Sequence, residues 1–247
     1  MGGHLIIVAS VALCVSWSVS AAEVRVAVAA NFTHTLEQLQ SQFETATPYR
    51  MSIVSGSTGK LFAQISTGAP FDVFLSADSA APTRLVESGQ ALADSQFTYA
   101  RGRLVLWSAQ AESVKGGAQA LRTGTQRIAL ANPKHAPYGR AAQQALSELQ
   151  LWDTVQPRVV LGENVNQALQ FAATGNATWA FVGLAQVFSL PPQQRGGYWA
   201  VPSDLYTPIT QDAVLLVRGR DNPAAHEFRT YLHSPAARAL IQREGYE

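Results

Sequence analysis

The chain has 247 residues, a formal net charge of +1, 14% charged residues and a single cysteine. Such a balanced charge provides no basic surface for nucleic acid and no acidic tail for a polycation. One cysteine also excludes a small scaffold held together by disulfides.

Residues 1–22 are typical of a secretory signal peptide. They contain no acidic or basic side chain except His4, residues 5–19 are mostly apolar, and Ser20, Ala21 and Ala22 provide small residues for cleavage. The apolar run is too short, and its flanks are wrong, for a stable membrane span. Cys14 lies in this run, so the mature chain would contain no cysteine. We predict export to the bacterial periplasm, cleavage after Ala22 and no membrane insertion afterwards.

The mature chain of about 225 residues is long for one core and sufficient for two lobes. Its first predicted strand, residues 24–28, ends at Ala29, Ala30 and Asn31, and a helix with Leu36 and Phe43 on its apolar face follows. Asn31 therefore lies where a strand turns into a helix. Its amide would either cap the helix or contact a ligand.

Residues 55–78 join a strand end, a hydroxyl-rich turn, a helix and a second strand. The strands are predicted at 51–55 and 72–76, the turn at 56–59 and the helix at 60–67. In such a βαβ unit the loops and helix N-termini meet at the sheet edge where open α/β sheets bind ligands. Backbone N–H groups and the hydroxyls of Ser57 and Thr58 would form an anion site without a basic residue.

The same turn also has an ordinary interpretation, because Gly, Ser and Thr commonly cap helices for local reasons. A P-loop fits less well. Val54 stands where that motif requires glycine, and Leu61 follows Lys60 where it requires Ser or Thr.

The remaining elements repeat the α/β pattern. Helix three is predicted at about residues 80–88, a helix opens near Tyr138, and Asn164 is a suitable cap for another helix. Later strands are predicted at 104–107, 127–131, 159–161, 179–183, 198–201 and 213–217. We assign residues 23–103 and 212–247 to lobe 1 and residues 104–211 to lobe 2, with crossings near Arg103 and Asp212.

Several kinds of chemistry have no pattern in this chain. The five histidines lack metal-ligand spacing, and neither a G-x-S-x-G elbow nor a G-x-G-x-x-G fingerprint follows a strand. We therefore expect no enzyme activity, no protein-bound metal and no cofactor.

Four stretches together resemble the periplasmic molybdate-binding proteins of ABC transporters. They read GSTGKL at 56–61, GAPFDVFLSAD at 68–78, PKHAPYG at 133–139 and ENVNQAL at 163–169. The resemblance covers essentially the whole mature chain. It implies an α/β type II periplasmic binding protein fold, with two lobes, two crossing segments and a tetrahedral oxyanion in the cleft between the lobes.

The resemblance also implies the ligand positions. They are Asn31 with Ala30 beside it, Thr58 with Ser57 adjacent, Tyr138, and the backbone N–H of Val165. Two positions depart from some family members, since Ala30 lacks a polar side chain and Gly183 stands where a tyrosine ligand can occur.

The expected function is capture of molybdate or tungstate by a monomeric receptor that delivers it to an inner-membrane ABC permease. Closure of the lobes about the hinge would enclose the ion. A receptor for sulfate or another oxyanion is the nearest alternative. A secreted hydrolase with Thr58 or Ser57 as nucleophile belongs to a different class, and turnover of ester substrates would support it.

Overall fold

The computed structural model describes residues 22–247. The predicted signal peptide, except for Ala22, lies outside the described residues. Within residues 22–247 no helix is both long enough and apolar enough to cross a bilayer.

The described chain alternates strands with helices for most of its length. The strands are β1 Glu23–Ala29, β2 Arg50–Gly56, β3 Val73–Leu75, β4 Phe97–Gly102, β5 Leu104–Ser108, β6 Ile128–Ala131, β7 Val159–Gly162, β8 Trp179–Gly183, β9 Gly197–Ala200 and β10 Ile209–Leu215. The helices are α1 Thr33–Ala46, α2 Thr58–Ser66, α3 Ala80–Glu87, α4 Ala118–Thr123, α5 Pro137–Glu148, α6 Trp152–Val155, α7 Val165–Ala173, α8 Leu184–Phe188, α9 Pro223–Leu232 and α10 Pro235–Arg243.

Two five-stranded sheets form two lobes of equivalent topology. The strand orders are β2-β1-β3-β10-β4 in the first sheet and β7-β6-β8-β5-β9 in the second. In each sheet the second strand, β1 or β6, is parallel to both neighbours, and the fourth strand, β10 or β5, is antiparallel to both of its neighbours. The carboxyl ends of β1, β2 and β3 therefore share one edge, as do those of β6, β7 and β8.

Both faces of the first sheet are covered, because side chains of a strand alternate between its faces. Val26 and its neighbours in β1 pack with Phe43 of α1 and Phe228 of α9. Ala27 faces the other way and packs with Leu61 of α2 and other apolar residues. The helices on both sides leave only the strand ends open to a ligand.

Two chain crossings connect the lobes. Arg103 alone separates β4 from β5, and residues 201–208 connect β9 to β10. The second predicted boundary, at residue 212, falls inside β10. That strand already begins at Ile209, which pairs with Gly102 of β4, so residues 209–211 belong to the first sheet.

The apolar pattern predicts this strand only from residue 213, because the buried residues at the start of β10 include polar ones. Gln211 is fully buried and Asp212 is 6% exposed. The Asp212 carboxylate accepts hydrogen bonds from Thr98 Oγ1 and Gln96 Nε2, both at 2.8 Å. These bonds compensate for burial of the charge. A search for apolar runs does not anticipate a buried carboxylate.

Candidate functional site

A small cavity lies between the two lobes at the carboxyl ends of the parallel strands. Its cavity volume is about 10 Å³, far below the roughly 300–1,000 Å³ typical of sites for organic ligands. All six residues predicted to contact an oxyanion line it. The complete lining is Ala29, Ala30, Asn31, Ser57, Thr58, Ala77, Ala136, Pro137, Tyr138, Asn164 and Val165.

Equivalent segments of the two lobes form opposite walls of this cavity. The segment after β1 carries Ala30 and Asn31, and the equivalent segment after β6 leads to Tyr138. Helix α2 begins at Thr58 after β2, and α7 begins at Val165 after β7. The four proposed donor positions therefore come from two structurally matching pairs of strand ends.

Helix N-termini dominate the electrostatics of the cavity. The first N–H groups of a helix lack intrahelical acceptors, and each N-terminus carries about half a positive elementary charge. Helices α2, α5 and α7 all begin at the cavity wall. In α5 the first residue is Pro137, which has no N–H, so the first amide donor is that of Tyr138. No residue lining the cavity is charged, and the site is therefore suited to an anion held by neutral donors.

The two hydroxyls of the α2 turn have different surroundings. Thr58 Oγ1 accepts a hydrogen bond from the Ala77 N–H at 3.1 Å, which leaves its proton for another acceptor. Ser57 occupies the N-cap position of α2, but its side chain makes no capping hydrogen bond. Its Oγ is buried with no partner. The Ser57 hydroxyl thus does not cap α2, and it is available to a ligand.

Asn31 does not cap α1, whose N-cap residue is Phe32. The Asn31 Nδ2 atom donates to Gln211 Oε1 at 2.8 Å and to the Tyr246 hydroxyl at 3.2 Å. Asn31 is 5% exposed. Its amide is therefore held in place by the first lobe and is not free in solvent.

Tyr138 presents its backbone and its phenol to different regions. The amide lies at the second position of α5, beside the cavity, while the ring extends towards the strand ends of the hinge. A Cβ placed on Gly183 would lie 3.0 Å from Tyr138 Cε1. A tyrosine at position 183, which the resemblance implies for some family members, would thus require the Tyr138 ring to move.

Several contacts across the cleft hold the lobes together around the cavity. The Gly59 N–H donates to the His135 carbonyl at 2.8 Å, and the absence of a side chain on Gly59 permits this approach. Asn166 Nδ2 donates to the Ala30 carbonyl at 2.8 Å. Lys60 pairs with Glu163 at 2.7 Å. A second ion pair joins Arg140 of α5 to Asp78 in the loop before α3.

Sequence reasoning missed the residues behind the site. Gln211, Tyr99 and Tyr246 contact Asn31 or each other, and Asn166 contacts the segment after β1. Gln211 and Tyr246 are 180 and 215 residues from Asn31 in the chain. No local pattern could have connected them; only the buried polar character of Gln211 within a strand is unusual.

A two-lobed α/β protein whose interlobe cavity is lined by helix N-termini belongs to the class of solute-binding proteins. The model of the family "Bacterial extracellular solute-binding protein" matches residues 24–247, and the chain belongs to this family.

Individual relatives agree with that assignment. The chain is 47% identical to the molybdate-binding protein ModA of Azotobacter vinelandii, over 92% of this chain and 90% of the relative. It is 43% identical to ModA of Rhodobacter capsulatus, over 92% and 89%. The solved A. vinelandii periplasmic molybdate-binding protein superposes with a TM-score of 0.86 at 41% identity, covering 91% of this chain and 98% of that one. The resemblance noted in the sequence and the predicted fold are thereby confirmed.

Three buried tyrosines near the site predict a loss of stability at alkaline pH. Burial raises the pKa of Tyr99, Tyr138 and Tyr246 above the ordinary value of about 10. Above that pH the unfolded chain releases these protons and the folded chain retains them, so the free energy of unfolding falls as pH rises.

Urea unfolding at pH 8 and pH 10.5 measures this effect. We expect Tyr138→Phe to reduce the difference between the two pH values, since one buried phenol is removed. Tyr198→Phe is the matched control because Tyr198 is 45% exposed. An equal difference in all three proteins would contradict the assignment to buried phenols.

Proposed function

We propose that this protein is a periplasmic receptor that captures molybdate or tungstate and delivers it to an ABC permease of the inner membrane. It acts as a monomer without a cofactor, the oxyanion being its cargo. Its partners are that ion and the permease, and not nucleic acid. Export depends on the predicted signal peptide.

One observation carries the proposal: three helix N-termini and two hydroxyls converge on a small cavity without a charged residue. A dianion placed there exchanges its water for N–H and O–H donors, and such hydrogen bonds are strengthened by the charge of the acceptor. The proposed donors are Asn31, Ser57 and Thr58 from lobe 1 and the amides of Tyr138 and Val165 from lobe 2, with Ala30 contributing backbone only. Identities of 47% and 43% to proteins named ModA support molybdate as the cargo.

Closure provides the mechanism of capture. Donors from both lobes must surround the ion, so the bound ion favours the conformation in which the lobes meet. The bonds from Gly59 to His135 and from Asn166 to Ala30 exist only when the lobes are together. The permease would recognise this closed shape.

Other ligands and chemistries fit less well. Phosphate near neutral pH retains a proton that needs an acceptor, and no carboxylate lines the cavity. A hydrolase using Ser57 or Thr58 would need a general base, yet the lining contains no His, Asp, Glu or Lys. Sulfate shares charge and shape with molybdate, so discrimination between them would rest on cavity size.

Calorimetry of extensively dialysed protein tests the proposal directly. We expect molybdate and tungstate to bind at least tenfold more tightly than sulfate, with phosphate weaker still. Sulfate binding as tight as molybdate binding would refute the assignment of cargo.

The two hydroxyls can be separated by substitution. Ser57→Ala removes an unpaired buried hydroxyl, so molybdate affinity should fall by about 1.5–3 kcal/mol while stability is retained. Thr58→Val should weaken binding similarly and also lower stability, because the Ala77 N–H loses its acceptor. Calorimetry and urea unfolding of both variants measure the two effects. Parental affinity in either variant would remove that hydroxyl from the site.

Val165 can be tested for action through its backbone. Val165→Pro removes the N–H at the first position of α7, where no intrahelical bond is lost. Asn164 before it is already extended, at φ −144° and ψ 177°, as proline requires of its predecessor. Helices α5, α9 and α10 also begin with proline. The fold should persist while affinity falls by about 1.5–3 kcal/mol.

Val165→Ala is the control for this substitution. It trims the buried side chain and keeps the N–H, so affinity should remain near that of the parent. Circular dichroism verifies folding of both variants. A folded Val165→Pro protein with unchanged affinity would show that Val165 is only a core residue.

A further inference from the structure

Behind Asn31 lies a buried polar cluster that lines no part of the cavity. Its members are Gln211 of β10, Tyr99 of β4 and Tyr246 near the C-terminus, each at most 9% exposed. Gln211 Oε1 accepts from Asn31 Nδ2 at 2.8 Å and from the Tyr99 hydroxyl at 3.2 Å. Tyr99 also donates to the Ser76 carbonyl at 3.0 Å. The cluster therefore determines which end of the Asn31 amide faces the cavity.

Two polar atoms beside this cluster are buried without partners. They are Gln211 Nε2 and the Tyr138 hydroxyl. Both adjoin the same point, because a Cβ placed on Gly102 would lie 2.0 Å from the Tyr138 hydroxyl and 3.0 Å from Gln211 Nε2. Leaving two neighbouring buried groups unpaired is unfavourable.

The Asn31 amide has a related mismatch. With Nδ2 bound to Gln211 and Tyr246, the end of the amide left for the cavity is Oδ1, an acceptor. An acceptor facing an oxyanion is repulsive. Rotating the amide by half a turn would present Nδ2 to the cavity and Oδ1 to Gln211.

A matching rotation of the Gln211 amide removes all three mismatches. Gln211 Nε2 then donates to Asn31 Oδ1 and to the Tyr99 hydroxyl, which continues to donate to Ser76. Gln211 Oε1 turns towards the Tyr138 hydroxyl, which gains an acceptor. Tyr246 keeps its bond to the Asn31 carbonyl, at 2.8 Å, and loses the bond that it accepts from Asn31 Nδ2, at 3.2 Å.

We propose that Gln211 is a positioning residue that orients the Asn31 amide towards the oxyanion, and that a hydrogen bond with the Tyr138 phenol holds the Gln211 side chain in place. This role rests on the proposed oxyanion binding. Asn31 and Gln211 belong to the first lobe, whereas Tyr138 belongs to α5 of the second. The N–H donor of Asn31 is therefore presented to the ion only when the second lobe has brought its phenol to the hinge.

The test is a pair of mutant cycles with molybdate as the probe, measured by calorimetry. Tyr138→Phe keeps the ring and the proposed amide donor, and Gln211→Met keeps the approximate volume. Each should weaken molybdate binding about tenfold, since a hydrogen bond to a charged partner is lost or misdirected. The double variant should be no weaker than the weaker single variant, because both changes act on one donor.

The second cycle separates positioning from a general effect on structure. In an Asn31→Ala background there is no amide to orient, so adding Tyr138→Phe should leave the remaining affinity unchanged. Tyr231→Phe is the matched control in the parent, because the Tyr231 hydroxyl bonds Gln42 at 3.0 Å on the first lobe, away from the cavity. Its affinity should equal that of the parent.

The outcomes distinguish this inference from the function on which it rests. Parental affinity in Tyr138→Phe overturns the inference while leaving molybdate binding intact. An equal loss from Tyr138→Phe in the parent and in Asn31→Ala also overturns it, because the phenol would then act independently of Asn31. A parent protein that binds no oxyanion overturns the proposed function and this inference together.

Discussion

Holding a desolvated anion without a positively charged residue is the constraint on which the rest of the structure depends. Positive potential must then come from the peptide backbone at helix N-termini, together with neutral hydroxyl and amide donors. Several termini must then meet at one point, and short loops after parallel strands bring them there. In this protein α2 and α7 follow the equivalent strands β2 and β7 of the two sheets. The cavity thus forms because the carboxyl ends of the parallel strands in two similar sheets meet there.

The same arrangement divides the donors between two bodies. Of the residues that line the cavity, Asn31, Ser57 and Thr58 belong to lobe 1, and the N-termini of α5 and α7 belong to lobe 2. Neither lobe alone encloses the cavity, so the proposed function couples ion binding to closure. The ion pairs of Lys60 and Arg140 across the cleft are partly exposed, and such pairs contribute about 0–1 kcal/mol each. They can favour the closed form without preventing release.

The hinge has a different character from the lobe cores. Where β4 and β10 leave the first sheet, the buried residues include Gln211 and Asp212 alongside apolar neighbours. A buried polar cluster requires specific hydrogen-bond partners, whereas an apolar core accepts many substitutions that keep its volume. Hydrogen bonding at the hinge therefore restricts the relative positions that the lobes can adopt. It also connects Tyr138, which crosses from the second lobe, to Asn31 at the ligand cavity.

Local interactions in the sequence determined the helices and strands and the nearest neighbours of the proposed donors. The βαβ pattern around Ser57 and Thr58, and the capping capacity of Asn164, which accepts from the Gln167 N–H at 3.1 Å, depend on neighbours a few residues away. The resemblance to a known family then indicated which strand ends carry the site.

Only the tertiary structure decided the contacts between distant segments. The start of β10 was hidden because its buried residues include polar ones, of which Asp212 is paired with Thr98 and Gln96, more than a hundred residues earlier. The partners of Asn31, the free hydroxyl of Ser57 and the position of the Tyr138 phenol likewise depend on chain crossings that bring both lobes together. Helix caps and strand periods act over a few residues, whereas the hydrogen bonds of a hinge depend on how two lobes are joined.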